Sequence, residues 1–325
     1  MRLLVTGGAG FIGSNICETL VSEGHEVTVL DNLSTGRREN LKELRTHQRL
    51  HLIVGDARNR NLTAELGKNC DCIIHLAAYK IPKEGHAEET LLNNTAMGHS
   101  VFEAARVNDC KVVLASTSDV YGRTKKIPSS EDDDLVLGTS RVLRWSYSIS
   151  KLFNESLAHA YQKSYGVRFV VLRYFNVYGP KENLTWRGGP QSVFIENILD
   201  MKPITIHGDG TQERCFTYVS DVVDGSVLAL KHEEANGHII NIGNNETEIS
   251  IINLARMIAG LCGASSRVQM EYIPHERLFG EYHEIERRVP DISKARNLLA
   301  FSPKVDLTTG LTRTIAWHRS LRTAL

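Results

Sequence analysis

The chain has 325 residues, 42% hydrophobic and 23% charged, enough for one large or two modest domains around a real core. Lys plus Arg balance Asp plus Glu at 38 each, so no global field draws the chain to nucleic acid or an anionic membrane. The six cysteines, Cys17, Cys70, Cys72, Cys110, Cys215 and Cys262, show neither CxxC nor zinc-ligand spacing, so reduced thiols and no metal are expected. In chain order, Leu3 to Thr6 comes first, too close to Met1 for a charged leader with an apolar signal core. No later apolar run approaches the roughly 18 residues of a membrane span, so the expected location is the cytoplasm.

That first run predicts a strand passing into Gly7-Gly8-Ala9-Gly10-Phe11-Ile12-Gly13 and then a helix through Ile16, Leu20 and Val21. Gly8-x-Gly10-x-x-Gly13 in this setting is a dinucleotide fingerprint, where absent side chains let backbone approach a pyrophosphate at a helix amino terminus. A second strand, Glu26 to Leu30, ends in Asp31, where an acid grips an adenosine ribose, which favours NAD over NADP. Arg37 and Arg38 follow in the next loop.

Strand-like runs at His51 to Val54, Cys72 to Leu76 and Lys111 to Ala115 alternate with helical segments. The alternation predicts an α/β fold with a Rossmann-type doubly wound parallel sheet. Each strand ends in a small or polar cluster at the ligand crevice: Asp56-Ala57, His75-Leu76-Ala77-Ala78, and Ser116-Thr117-Ser118. Asp56 is expected at the adenine and the Ala77-Ala78 backbone at the cofactor's middle. Glu131 to Asp134 reads as a solvated acidic loop.

Tyr147 and Lys151 stand one helical turn apart, so an ammonium can sit beside a phenol. The expectation is a phenol whose pKa, ordinarily about 10, is lowered enough to take a proton from a hydroxyl. After Pro180 the alternation loosens into a Gly-rich loop, then a helix over 191–201 and a short strand over 203–206. Ile239 to Ile242 reads as a strand returning to the first sheet, 251–262 as an amphipathic helix, and Asp291 to Leu299 as a helix with Asp291 as cap.

Eight motifs in order carry a family resemblance: Thr6-Gly-Gly-Ala-Gly-Phe-Ile-Gly13, Asp31-Asn32-Leu33, His75-Leu-Ala-Ala78, Ser116-Thr-Ser118, Tyr147-x-x-x-Lys151, Arg173-Tyr-Phe-Asn-Val-Tyr-Gly-Pro180, Gly208-Asp-Gly210 and Phe216-Thr-Tyr-Val-Ser-Asp221. The chain resembles the extended short-chain dehydrogenase/reductase family, specifically its NAD-dependent nucleotide-sugar epimerases, dehydratases and decarboxylases. The resemblance implies a Rossmann domain over 1–178 with a returning segment at about 214–245, and a nucleotide-sugar domain over 179–213 and 246–325. It implies NAD contacts from Gly7, Gly10, Phe11, Ile12, Gly13, Asp31, Asn32, Asp56, Ala57, Leu76, Ala77, Ala78, Lys80, Tyr147, Lys151 and Tyr174. A homodimer is also implied, built from the helix around Tyr147 and one over residues 90–106.

In that family Tyr147 would remove the proton of a UDP-sugar 4-hydroxyl as hydride passes to the nicotinamide. Ser118 would share that proton, and Lys151 would also hold the nicotinamide ribose. Asn176 and Arg214 would face the diphosphate, since an arginine fork can bind two phosphate oxygens; a salt bridge from Arg214 to Asp209 or Asp221 is the alternative. Ser118-Asp119, Arg144-Trp145, Arg214-Cys215-Phe216 and the pair Tyr282 and Arg288 resemble UDP-glucuronate decarboxylases. There Asp119 would handle protons near C5 or C6, unless it only caps a turn, and Arg288 would act at the carboxylate unless Glu284 and Glu286 neutralise it. Ala78-Tyr79-Lys80 instead resembles UDP-galactose 4-epimerases. The expected activity is therefore 4-epimerisation first and decarboxylation second. A 4,6-dehydratase ranks third because Ser118 replaces the expected acid, and a non-catalytic NAD-binding regulator comes last.

Overall fold

The computed structural model describes residues 1–80, 86–183, 189–246, 248–275, 277 and 284–323. Short, mostly apolar runs form β1 (Arg2–Thr6), β2 (Glu26–Asp31), β3 (Leu50–Val54), β4 (Cys72–His75), β5 (Lys111–Thr117) and β6 (Phe169–Tyr174). With β11 (Ile239–Ile242) they make one seven-stranded sheet in the order β11-β6-β5-β4-β1-β2-β3, every pair parallel. All residues of β4, β5 and β6 are buried, as a sheet covered by helices on both faces requires. Chain direction across the sheet switches between β1 and β4, which opens a crevice at their carboxyl ends.

Helices α1 (Phe11–Ser22), α2 (Arg60–Gly67), α3 (Ala87–Asn108) and α4 (Ser146–Tyr165) follow the early strands, and α3 packs along α4. Leu92 on α3 and Phe153 on α4 remain 68% and 48% exposed, an unusual exposure for large apolar side chains on core-forming helices. Among the described residues no helix is long and apolar enough to cross a membrane.

The smaller part begins with β7 (Val177–Tyr178) and α5 (Pro190–Leu199), with proline at the first helical position. Its strands are β8 (Ile204–His207), paired with β13 (Met270–Ile273), and a three-stranded sheet of β9 (Glu213–Cys215), β12 (Glu248–Ser250) and β14 (Arg287–Arg288). A further bridge pairs β10 (Thr217–Tyr218) with β7. Helix α6 (Val219–Lys231) packs on α1 and leads to β11, while α7 (Ile251–Leu261) packs on α5.

Three expectations need correction. The returning segment begins after β9, since β9 pairs with β12 and β14 and not with the large sheet. The helix Ser293–Leu299, expected in the smaller domain, packs on β11 and α6; Asp291 accepts from Ser293 N at 2.8 Å, one position before the cap residue. Glu131 is not solvated: it is buried at 8% exposure and accepts from Asn241 N at 2.7 Å, tying its loop to β11.

Candidate active site

The strand β1 leads into a backbone cradle. Gly7 has φ +73°, and a Cβ there would lie 2.7 Å from Ala77 N; one on Gly13 would lie 2.3 Å from Gly7 O. Only glycine fits at either position. Helix α1 begins after Gly10 with no side-chain cap, leaving its first N–H groups to an incoming acceptor. Asp31 closes the cradle, accepting from Ala9 N at 3.0 Å and Leu33 N at 2.8 Å. Burial pushes its carboxyl up, against those two backbone bonds. The bare turn, the uncapped helix and the buried acid at the end of β2 fit a dinucleotide.

Around the cradle, Asn32 donates to Asp56 at 3.4 Å, and Asp56 is held by Arg58 at 2.7 Å, so the two residues expected to contact the cofactor lie together at the ends of β2 and β3. Ala57 is buried beside them, and Leu76, Ala77 and Ala78 follow β4 past Gly7. Phe11 and Ile12 start α1. Tyr174 points into the core, where its hydroxyl pairs with Ser226 of α6 at 2.8 Å.

Tyr147 opens α4, and its ring is buried at 9% exposure. Lys151, one turn on, is 3% exposed and donates to Ala115 O of β5 at 2.8 Å, its Nζ 5.8 Å from the Tyr147 ring centroid. The expected lowering of the phenol pKa is not what the protein alone produces. Burial raises it, and the Asp119 charge adds to the rise. Burial instead acts on the lysine, lowering it to about 8 against the opposing charge of Glu155.

Sequence reading passed over Glu155. It stands one turn beyond Lys151, accepts from Ser116 Oγ, and takes Arg173 Nε and Nη2 at 3.1 and 2.7 Å, with both side chains at most 4% exposed. This buried trio fastens α4 to β5 and β6 beneath the tyrosine. Its spacing, another i+4 step on the Tyr147–Lys151 face, was the available signal.

Lys151→Met is expected to raise the melting temperature of the apoprotein while abolishing turnover. The folded pKa of about 8 lies below the unfolded value of about 10.4, so keeping the ammonium costs the fold roughly 1–3 kcal/mol below about pH 8. That cost fades between about pH 8 and about pH 10.4, where wild type should gain stability relative to the variant. Thermal melts of both proteins across this range check it, and a lower melting temperature for the variant at pH 7 would refute it.

The turn after β5 carries the second half of the site. Thr117 Oγ1 accepts from Asp119 N at 3.2 Å, so threonine does the capping and the Asp119 carboxylate is released for other work. Arg288 Nη2 donates to that carboxylate at 2.6 Å, and Nη1 reaches Ser118 Oγ at 3.4 Å. Burial pushes the Asp119 carboxyl up, but Arg288, Arg144 and Lys80 outweigh it and hold the group well below the usual carboxylate range. Arg288 thus pairs with Asp119, not with Glu284 or Glu286.

Glu284 instead serves Arg214, which donates to it at 3.0 Å and to Glu213 O and Glu286 O at 2.7 and 3.4 Å. Neither Asp209 nor Asp221 is its partner: Asp209 accepts from Thr211, and Asp221 from Lys304 N and Val305 N. Arg144 and His275 approach the same Glu284 carboxylate at 3.8 and 3.3 Å. Asn176, in left-handed backbone at φ +37°, donates to Cys215 O at 2.8 Å. Tyr282 lies outside the described residues. Lys80, Arg144, Arg214 and Arg288 thus gather around the carboxylates of Asp119 and Glu284 in one charged cleft. Among the described residues no cluster of His, Cys, Asp or Glu is arranged to hold a metal.

Comparison with known proteins agrees with this architecture. The NAD dependent epimerase/dehydratase family matches residues 3–243. A UDP-N-acetyl-alpha-D-glucosaminuronate decarboxylase of Bacillus cytotoxicus is 38% identical over 98% of both chains. UDP-glucuronic acid decarboxylase 1 of Xenopus tropicalis is 35% identical over 98% of this chain and 72% of its own. Among solved structures, the UDP-glucuronic acid 4-epimerase of Bacillus cereus in complex with UDP-glucuronic acid and NAD has a TM-score of 0.88 at 32% identity, covering 99% of this chain and 100% of that one.

Proposed function

Because this chain belongs to the NAD-dependent epimerase/dehydratase family, we propose that it is an NAD-dependent decarboxylase of a UDP-hexuronate. The observation that carries this reading is Arg288 locked onto Asp119 beside Ser118, a charged pair that an epimerase acting only at C4 does not need. The decarboxylase relatives support it and reverse the order expected from sequence, where epimerisation stood first.

NAD, when bound, supplies the hydride acceptor for C4 and a positively charged ring. Tyr147 takes the proton of the 4-hydroxyl, and Ser118 orients that hydroxyl from the end of β5, whose following turn packs on α4. Lys151 donates charge from below while anchored to Ala115 O. Once C4 is a carbonyl, the C6 carboxylate is β to it, so the C5–C6 bond can break with its electron pair passing into the carbonyl. Carbon dioxide leaves and a proton from water takes its place at C5; the C4 carbonyl would then take back the hydride while Tyr147 returns its proton, which restores the cofactor. Asp119, kept ionised by Arg288, orders the proton exchange at that carbon, while Arg288 meets the negative charge that develops.

The test is to incubate purified protein and NAD with UDP-glucuronate, UDP-N-acetylglucosaminuronate and UDP-glucose separately, following products by mass spectrometry with chromatography. Loss of carbon dioxide from a uronate is expected. An isomer of unchanged mass would replace this reading with 4-epimerisation, the activity named for the Bacillus cereus structure.

A further inference from the structure

The ammonium of Lys151 is poorly served by its own contacts. It is buried, and among the described residues its hydrogen bond runs to a neutral acceptor, Ala115 O. A desolvated cation with only a carbonyl beside it sheds its proton more readily than one in water. Whether Tyr147 meets a charge therefore depends on the other groups around the lysine. On α4 itself these are Tyr147, one turn before, and Glu155, one turn after. From β4 comes His75, buried 2.7 Å from Thr6 Oγ1, whose imidazole is pushed down to about 3 by burial and by the Lys151 charge, so it is neutral. Helix α3 brings the uncharged amide of Asn94, which donates to Ser150 Oγ at 2.9 Å, and β5 brings only hydroxyls at this level. Arg173 reaches in from β6, and Asp119, on the turn after β5, acts on the Tyr147 phenol. The anion whose charge opposes loss of the lysine proton is Glu155.

That carboxylate is fixed in place. Ser116 Oγ donates to it, and Arg173 grips both of its oxygens. Arg173 is itself set by the register of β5 with β6, where it stands opposite Ser116, and its guanidinium lies over the Tyr121 ring at 4.8 Å. Glu155 thus touches β5 one residue along from the carbonyl that takes Lys151, on the lysine's own helix face. Arg173 meets the carboxylate from the next strand, so the negative end of the pair is the nearer to the lysine. In a buried setting a charge one helical turn away is little screened.

We propose that Glu155 is a positioning residue for the reaction: its carboxylate, clamped by Ser116 and Arg173, is the counter-charge that keeps Lys151 an ammonium beside Tyr147. The importance of that charge for turnover rests on the proton removal by Tyr147 described above, and is the same whether decarboxylation or epimerisation follows. The contacts that fasten α4 to the sheet thereby also set the charge state of the lysine.

The experiment has one readout that needs no substrate. Melting curves of the full-length protein with Lys151 and with Lys151→Met, each with and without Glu155→Gln, locate the pH at which lysine begins to gain stability over methionine. That onset, at about 8 with Glu155 present, should fall by about one pH unit in Glu155→Gln, because the ammonium is then given up earlier on the way to its unfolded value of about 10.4. The second readout is kcat against pH with UDP-glucuronate and NAD. Its alkaline loss should move down by a similar amount in Glu155→Gln, and Glu155→Asp should restore part of the difference. Should Glu155→Gln not fold with Arg173 left unpaired, Glu155→Gln with Arg173→Gln decides by the same onset, expected to fall by less. An unmoved onset overturns the proposal, and so does a kcat lowered by one factor at every pH. If the onset moves and the wild type turns over no nucleotide sugar, the catalytic reading fails and the control of Lys151 by Glu155 stands. If carbon dioxide is released and the onset does not move, the reverse holds.

Discussion

Replacing Tyr147 with phenylalanine is expected to lower kcat by about a hundred- to ten-thousand-fold, the usual worth of a positioned proton acceptor, while leaving the fold intact. Among the described residues no side chain or backbone group bonds its hydroxyl, so the variant loses no internal hydrogen bond and should melt within about 0.5 kcal/mol of wild type. The phenol is buried and faces the negative charge of Asp119, both of which disfavour its ionised form. Deprotonation therefore depends on positive charge gathered around it when the site is filled. Steady-state turnover with melting curves checks the prediction. Full turnover in Tyr147→Phe would remove the tyrosine from the chemistry.

The second large effect falls on Arg288. Its removal leaves Asp119, whose side chain is 26% exposed beside Arg288, as a carboxylate facing only the more distant charges of Arg144 and Lys80. Breaking a mostly buried pair by deleting one partner costs about 3–5 kcal/mol, so Arg288→Leu should be strongly destabilised as well as inactive in releasing carbon dioxide. Asp119→Asn removes the charge but keeps the shape, so it should lose most turnover at a smaller stability cost. The contrast separates function from scaffolding, because a residue that merely shaped its turn would cost stability and spare the turnover of folded protein.

The pH dependence has a definite sign. Asp119 is held below its ordinary value in the folded chain, so the pair's stabilisation is present above the unfolded carboxyl value of about 3.9 and is lost as pH falls through the folded one. The stability gap between wild type and Arg288→Leu should narrow on acidification below about pH 4. Urea unfolding of both proteins at neutral and acid pH measures it, and a constant gap would show that Arg288 stabilises by packing alone.

Much of the molecule was legible in the amino-acid sequence. Strand, glycine turn and helix at the amino terminus depend on local sterics: a Cβ at Gly7 or Gly13 meets backbone whatever the rest of the chain does. The parallel sheet follows from alternating apolar runs and helical periods, and Tyr147 and Lys151 share a face because four residues make about one helical turn. Charge pairing was not legible, because it depends on which side chains converge from distant segments. Asp119 and Arg288 are 169 residues apart, and Arg214 and Glu284 are 70 apart. The nearer acids at 209, 221 and 286 were the natural guesses and are not the side-chain partners. Burial decided the rest. It raises the phenol that proximity to Lys151 was expected to lower, and it turns Glu131 from a solvated acid into a brace for β11, since desolvation is set by the completed fold and by no neighbour in sequence.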